Sequence, residues 1–279
     1  QIYSMNTRIP IICLLMAGCM TMSAQHAAQG KYACIYEYDV KSADGNIDRG
    51  TTLLQIADAF AVFTDYSAFQ LDSVARQPGA SEAQRKEMEE RVERNDHFFD
   101  QAVYQNDPSN RLTVHSVIAP YRYTYEEKIN PIAWRLVDEE KEVCGYPCKK
   151  ATGTYGGREW IAWYTPEVAV PFGPWKIVGL PGLVMAAEDA EGVHRFTAIQ
   201  FRAASGPVVM GELPDEIKTT REKFIEAKNR FEQNPMANLP PEALSDMTIR
   251  KREGGRKSIF VNGVQLRMRA NGYTPLEVE

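Results

Sequence analysis

Long apolar runs, a surplus of basic residues and clustered histidines are all missing from this chain of 279 residues. Past the amino-terminal 25 residues, no segment approaches the roughly 20 apolar residues that a membrane-spanning helix needs, so no transmembrane span is expected in the mature chain. The net charge of −5 argues against a polyanion-binding surface, which excludes nucleic acid as an expected partner. HExxH, GxSxG, GxxxxGK[ST] and GxGxxG are absent, so the common metal, nucleophile and nucleotide frameworks lack their signatures. No catalytic residue, metal or cofactor is therefore assigned. Three histidines lie well inside the chain, and none shares a helical turn with another histidine or an acid. His115 alternates with Thr113 and Val117 and reads as a solvent-facing strand residue, while His194 beside a turn reads as exposed. The acidic run Asp138, Glu139, Glu140 and Glu142 reads as a solvated link between strands. The basic run Arg250, Lys251, Arg252, Arg256 and Lys257 reads as a solvated linker.

The composition that is present, 44% hydrophobic and 25% charged, suits an ordinary globular core. Arg8, the apolar run 9–17 and the small residues leading to Ser23-Ala24-Gln25 have the order of a secretory signal, with Met5 as its start. Cleavage after Ala24 predicts an exported chain of the periplasm or outer membrane. The alternative exit, Met16-Ala17-Gly18-Cys19, has the form of a lipobox and would leave Cys19 acylated. Cys34, Cys144 and Cys148 remain beyond the leader. The short loop Cys144-Gly145-Tyr146-Pro147-Cys148 can bend two sulfurs together into a disulfide, with unpaired structural thiols or a redox use as alternatives. Cys34, alternating with Tyr32, Tyr36 and Tyr38, reads as a small core residue.

Period-two patterning dominates the rest. It marks residues 32–40, 121–126 and 199–203 as strands with one wet face, which favours antiparallel pairing. Residues 53–63 and 160–164 are apolar on both parities and are expected to be covered on both sides. Asp44-Gly45, Gly156-Gly157 and the stretch 188–192 supply hairpin turns. So many short strands must curl or stack, and the predicted fold is mainly β with some α: a strongly curved antiparallel sheet or open barrel with two helices. One helix, residues 82–95, opens with the capping box of Ser81 and Gln84 and is overwhelmingly charged, so it reads as a surface insertion near 79–97. The other, near 218–233, places Phe224, Ala227 and Phe231 on a packing stripe. Residues 25–279 read as a single domain, with an irregular linker near 234–257 and a final strand at 258–269.

The segment Gly173 to Val184, GPWKIVGLPGLV, holds two turn signals. Pro181 and Gly182 fit a type II turn, with Leu180 and Leu183 flanking the bend and pointing inward. Gly173-Pro174 sets a second constraint, leaving Trp175 to Val178 as a bridge able to make one helical turn. Two readings follow: an apolar plug at a sheet corner, or a ligand or partner surface around Trp175 and Lys176. Arg158, Trp160, Trp163 and Tyr164 offer aromatic contact area for the same surface, with Tyr121, Tyr123 and Tyr125.

Gly179-Leu180-Pro181-Gly182-Leu183-Val184 is one substitution from GLPGLI, and the chain resembles the GLPGLI family of Bacteroidota envelope proteins. Gly145 to Ala151, Gly157-Arg158, Ala162 to Thr165, Gly173-Pro174 and the terminal Pro275 to Glu279 fit that family's pattern as well. Val184, Trp175 and Cys144 depart from it. The resemblance implies an exported protein often encoded near TonB-dependent outer-membrane transporters, and supplies no catalytic residues. The expected function is a non-enzymatic binding or accessory role, with an outer-membrane transporter, another envelope protein, a peptide or a lipid as partner. The alternatives are a periplasmic lipid carrier, or a hydrolase or redox enzyme using the Cys144 and Cys148 loop.

Overall fold

A computed structural model of the chain describes residues 27–278, apart from 96, 130, 131, 205, 210–214, 253, 254, 256, 270 and 271. The expected leader, with Cys13 and Cys19, lies outside the described residues. Strands β1 (Ala27–Gln29), β2 (Tyr32–Lys41), β3 (Ile47–Ile56) and β4 (Ala61–Asp65) lead into helices α1 (Tyr66–Arg76) and α2 (Glu82–Arg94). Next come β5 (Gln101–Gln105), β6 (Arg111–Ile118), β7 (Tyr121–Lys128), β8 (Arg135–Val143), β9 (Tyr146–Tyr155), β10 (Arg158–Thr165), β11 (Leu183–Asp189), β12 (His194–Ala203), β13 (Pro207–Val209) and β14 (Glu216–Lys218). Helix α3 (Arg221–Gln233), a 3-10 helix (Pro241–Asp246) and strands β15 (Met247–Lys251), β16 (Lys257–Val261) and β17 (Val264–Leu266) complete the order.

Twelve strands form one sheet, ordered β14-β7-β6-β5-β4-β3-β2-β12-β11-β10-β9-β8, antiparallel throughout except for β14 beside β7. Two meanders meet at the β2 and β12 ladder. The residues 129–134 that join β7 to β8 can reach at most about 25 Å when fully extended. In a flat sheet those two strands, at nearly opposite ends of the order, would stand about 48 Å apart. The sheet therefore curls until its ends approach, and the Tyr155 hydroxyl of β9 donates to Glu127 of β7 at 3.1 Å. The two end strands do not pair, so the expected curved, mainly β architecture is open and not a closed barrel.

Curling gives the sheet an inner and an outer face. Cys34, Tyr36, Tyr38, Leu54, Phe63, Val103, Val114, Trp160 and Phe196 fill the inner core, with Tyr38 stacked on Phe196 at 4.4 Å. Leu53, Ala33 and Ile35 of the outer face pack under Tyr66 and Phe69 of α1, so strand 53–56 is covered on both sides as expected. The sequence predicts two helices; the described residues hold three α-helices. The missed one, α1, is capped by Asp65, whose carboxylate accepts from the backbone of Ser67 and Ala68. The α2 capping box of Ser81 and Gln84 forms as predicted. Helix α3 starts at Arg221, three residues later than expected, with Thr220 as its cap, and buries Phe224 and Phe231.

Other expectations need correction. Residues 138–142 belong to strand β8, not to a turn, and a register shift between Val137 and Glu140 accommodates them at the sheet edge. A bulge between Ala198 and Gln200 turns Ile199 outward, away from Phe201. Met247–Lys251 is a strand rather than linker, and the expected final strand is a hairpin of β16 and β17. In the basic run Lys251 and Lys257 are exposed as expected, but Arg250 and Arg252 are engaged. Arg252 donates to the Glu93 carbonyl at 3.0 Å and Arg267 to that of Val92 at 3.1 Å, while Arg250 stacks on Phe260. They cap the carbonyl end of α2, where the helix dipole favours cations. Among the described residues, no helix is long and apolar enough to cross a membrane.

Candidate functional site

The segment between β10 and β11 turns inward and plugs the curled sheet. Ile177 N–H donates to the Pro174 carbonyl at 3.0 Å with Trp175 at φ 52°, a left-handed reverse turn and not the helical turn expected. At Pro181 the bend is also tighter than type II: Gly182 N–H donates to Leu180 two residues back, at 2.8 Å. A Cβ at Gly182 would collide with the Thr165 carbonyl, and one at Gly173 with that of Ile177, so both positions require glycine for close backbone approach. Leu180 and Leu183 point into the core as predicted. The Gln105 amide of β5 donates to the carbonyls of Gly173 and Trp175, both at 2.6 Å, pinning the plug to the opposite half of the sheet.

Trp175 and Lys176 are fully buried, which corrects their expected role as a ligand or partner surface. Trp175 packs on Trp160 and Tyr155, with centroids 5.7 and 5.5 Å away, and its indole N–H donates to Gln101. The Lys176 ammonium lies 2.5 Å from Glu127 and 2.6 Å from Glu277 and donates to the Tyr125 hydroxyl at 3.0 Å. Arg221 of α3 reaches Glu277 at 2.6 Å and Glu127 at 3.5 Å. Burial opposes the charged Lys176, but Tyr125, Glu277, Tyr155 and Glu127 outweigh it and hold the ammonium well above its ordinary range. Two cations thus meet two carboxylates, joining plug, sheet, helix and carboxy-terminal tail.

That tail is held a second time. Arg158 bridges Asp189 (2.6 Å) and the Pro275 carbonyl (2.7 Å), and Trp160 and Tyr164 of the same strand are buried in the core. His194, expected at the surface, is fully buried because the tail covers it. Its Nε2–H donates to Pro275 at 3.1 Å, so Nδ1 accepts from the Tyr38 hydroxyl at 2.9 Å. Burial first, then Arg158, pushes its pKa from 6.5 down to about 4. The unfolded chain then binds the extra proton between these values, so stability is complete above pH 6.5 and declines as pH falls towards 4. Urea unfolding across that range is expected to lose about 3 kcal/mol, and His194→Gln to remove that dependence. His115 is buried as well, against Tyr104, with Glu216 of the added strand β14 at 2.6 Å.

With the inner face sealed, the sequence-selected residues that share an open space are Trp163 and Cys144. They line a cavity of about 460 Å³ where β8 folds back towards β12. Ala186, Ala187, Phe196 and Ala198 supply its apolar part, and Lys141, Glu142, Glu188 and Arg195 its charged rim. Such a volume, part apolar and part charged, falls in the size range of small-ligand sites. The Lys141 ammonium stands 4.2 Å from the centre of the Trp163 ring, and burial lowers its pKa, partly offset by Glu188. Arg195 pairs with Glu188 at 2.8 Å. Trp163 is 8% exposed, and its buried indole N–H has no acceptor. A second cavity of about 500 Å³, between β2, β3 and the tail, carries Asp100 and Arg269, which pair at 3.3 Å.

No protein-family model and no curated protein matches the chain. Among solved structures, PNGF-II in two space groups is 13% identical, with TM-scores of 0.48 and 0.47, covering 71% and 80% of this chain and 33% and 34% of that one. The chain thus spans about a third of the length of those structures. A LolA superfamily protein from Nitrosomonas europaea is 8% identical, with a TM-score of 0.25, covering 67% of this chain and 89% of that one. Likenesses this distant say nothing of ligand or activity.

The Cys144 and Cys148 disulfide is also corrected: Cys34, Cys144 and Cys148 are free thiols. Val143 pairs with Tyr146 across the turn, which leaves Cys148 on the strand opposite Lys141, beyond bridging reach of the turn residue Cys144. Among the described residues, no group of three or more His, Cys, Asp or Glu could hold a metal ion. Sequence reasoning missed Lys141 and Arg195 as neighbours of Trp163. They lie 22 and 32 residues from Trp163 in the chain, and the meander of β8 to β12, with no shared motif, brings them together.

Proposed function

We propose that this chain is an exported, non-enzymatic binding protein of the cell envelope that takes a small ligand or a peptide loop into the Trp163 cavity. On this reading, and with the GLPGLI resemblance, it is an accessory of TonB-dependent outer-membrane transport. The observation that carries the proposal is the Trp163 ring: an aromatic wall with the Lys141 ammonium 4.2 Å from its centre, set in a cavity with cations and carboxylates at its rim. Aromatic anchors of this kind dominate binding energy. The charged rim suits a group with polar ends better than a bare acyl chain.

Native mass spectrometry of the purified chain against short peptides and a phospholipid tests this. Peptide complexes are expected, and Trp163→Ala is expected to weaken them about 30-fold, the loss of roughly 2 kcal/mol typical of an interface tryptophan. Copurified phospholipid, released unchanged by Trp163→Ala, would support the lipid-carrier reading instead.

A further inference from the structure

We infer that the outer edge of β15 takes up an extended acidic peptide as a further antiparallel strand, on a surface separate from the Trp163 cavity. Strands β15, β16 and β17 form a small antiparallel sheet in that order. Among the described residues β15 pairs with β16 alone, so its outer side presents unpaired backbone N–H and C=O groups. Met247, Ile249 and Lys251 share one face, with Val261, Ile259 and Lys257 opposite them. The Val261 side of that face belongs to the core, whereas Met247 and Ile249 overhang it, 36% and 53% exposed.

Charge decides the occupant. Lys251 stands directly across from Lys257, both are exposed, and no described carboxylate pairs with either, so two like charges meet at one end of an apolar strip. Glu93 does not serve them: Arg250, on the opposite face, reaches it at 3.4 Å. A peptide running antiparallel to β15 brings an acidic residue against the lysine pair. Apolar residues two and four places later then meet Ile249 and Met247, so the recognised pattern is acidic-x-apolar-x-apolar. A lipid surface fits less well, because hydrocarbon would strand the edge's backbone groups, which a peptide strand satisfies.

The probe is the acetylated and amidated peptide Glu-Thr-Ile-Thr-Val, added to the full chain, with binding read by calorimetry and by backbone hydrogen exchange. Binding is expected together with slowed exchange at 247–251, and the same peptide N-methylated at every residue is expected not to bind. The double variant Lys251→Glu with Lys257→Glu, at two exposed positions that the fold tolerates, is expected to bind the probe about tenfold more weakly and to take Lys-Thr-Ile-Thr-Val instead. Equal affinity of the wild-type chain for the Glu and Lys peptides, or binding without protection of 247–251, would overturn the inference. So would a lack of peptide binding, whether or not the chain sediments with phosphatidylglycerol vesicles; sedimentation would assign the strip to a membrane surface.

Discussion

Lys176→Ala is expected to lower the unfolding free energy by about 3–5 kcal/mol, the cost of leaving buried charge uncompensated. The ammonium has no exposed surface and stands between Glu127 and Glu277. Removing it leaves two carboxylates and Arg221 to share one enclosed site, so the tail loses its hold as well. The control is to remove charge in balance. Lys176→Met combined with Glu277→Gln should recover much of the loss, because a neutral, well-packed group needs no counterion. Equilibrium urea denaturation of the three proteins measures this. Equal midpoints for wild type and Lys176→Ala would mean that the cluster contributes nothing.

The second large effect falls on Trp175. Truncating a fully buried tryptophan typically costs about 3–5 kcal/mol, and Trp175→Ala also strands Gln101, which accepts from its indole. The backbone makes a sharper test possible. At φ 52° any residue with a Cβ is strained, so Trp175→Gly is expected to be less destabilising than Trp175→Ala by about 1 kcal/mol, the reverse of the order in a helix or strand. Thermal and urea unfolding of both variants read the order directly. Alanine proving the milder substitution would contradict the left-handed turn.

Much of the local structure was legible. Tyr32 to Val40 announced β2 through strict alternation, Gly156-Gly157 announced the β9 to β10 hairpin, and Ser81 with Gln84 announced the start of α2. These signals live within a few residues of chain. Helix α1 was harder because Asp65 serves at once as the last residue of β4 and as the helix cap. The acidic stretch of β8 was misread because an edge strand carries charge that a central strand would not tolerate.

The candidate site was legible only in its parts. Trp163 and Cys144 stood out as residue types, but His194 and Lys176 were read as surface groups because their polarity is all that the local sequence displays. Their burial depends on a tail about 80 and 100 residues away, with Pro275 over His194 and Glu277 against Lys176.

By itself, then, the sequence determined the alternating strands, several hairpin turns, the start of α2 and the inward bend at Pro181, because alternation, positive-φ glycines and capping side chains act through neighbours in the chain. Tertiary structure alone decided which charges are buried and which cavity stays open. The six-residue reach between β7 and β8 forces a twelve-strand sheet to curl, and that curl brings Glu127 to Lys176, a contact that no local pattern encodes.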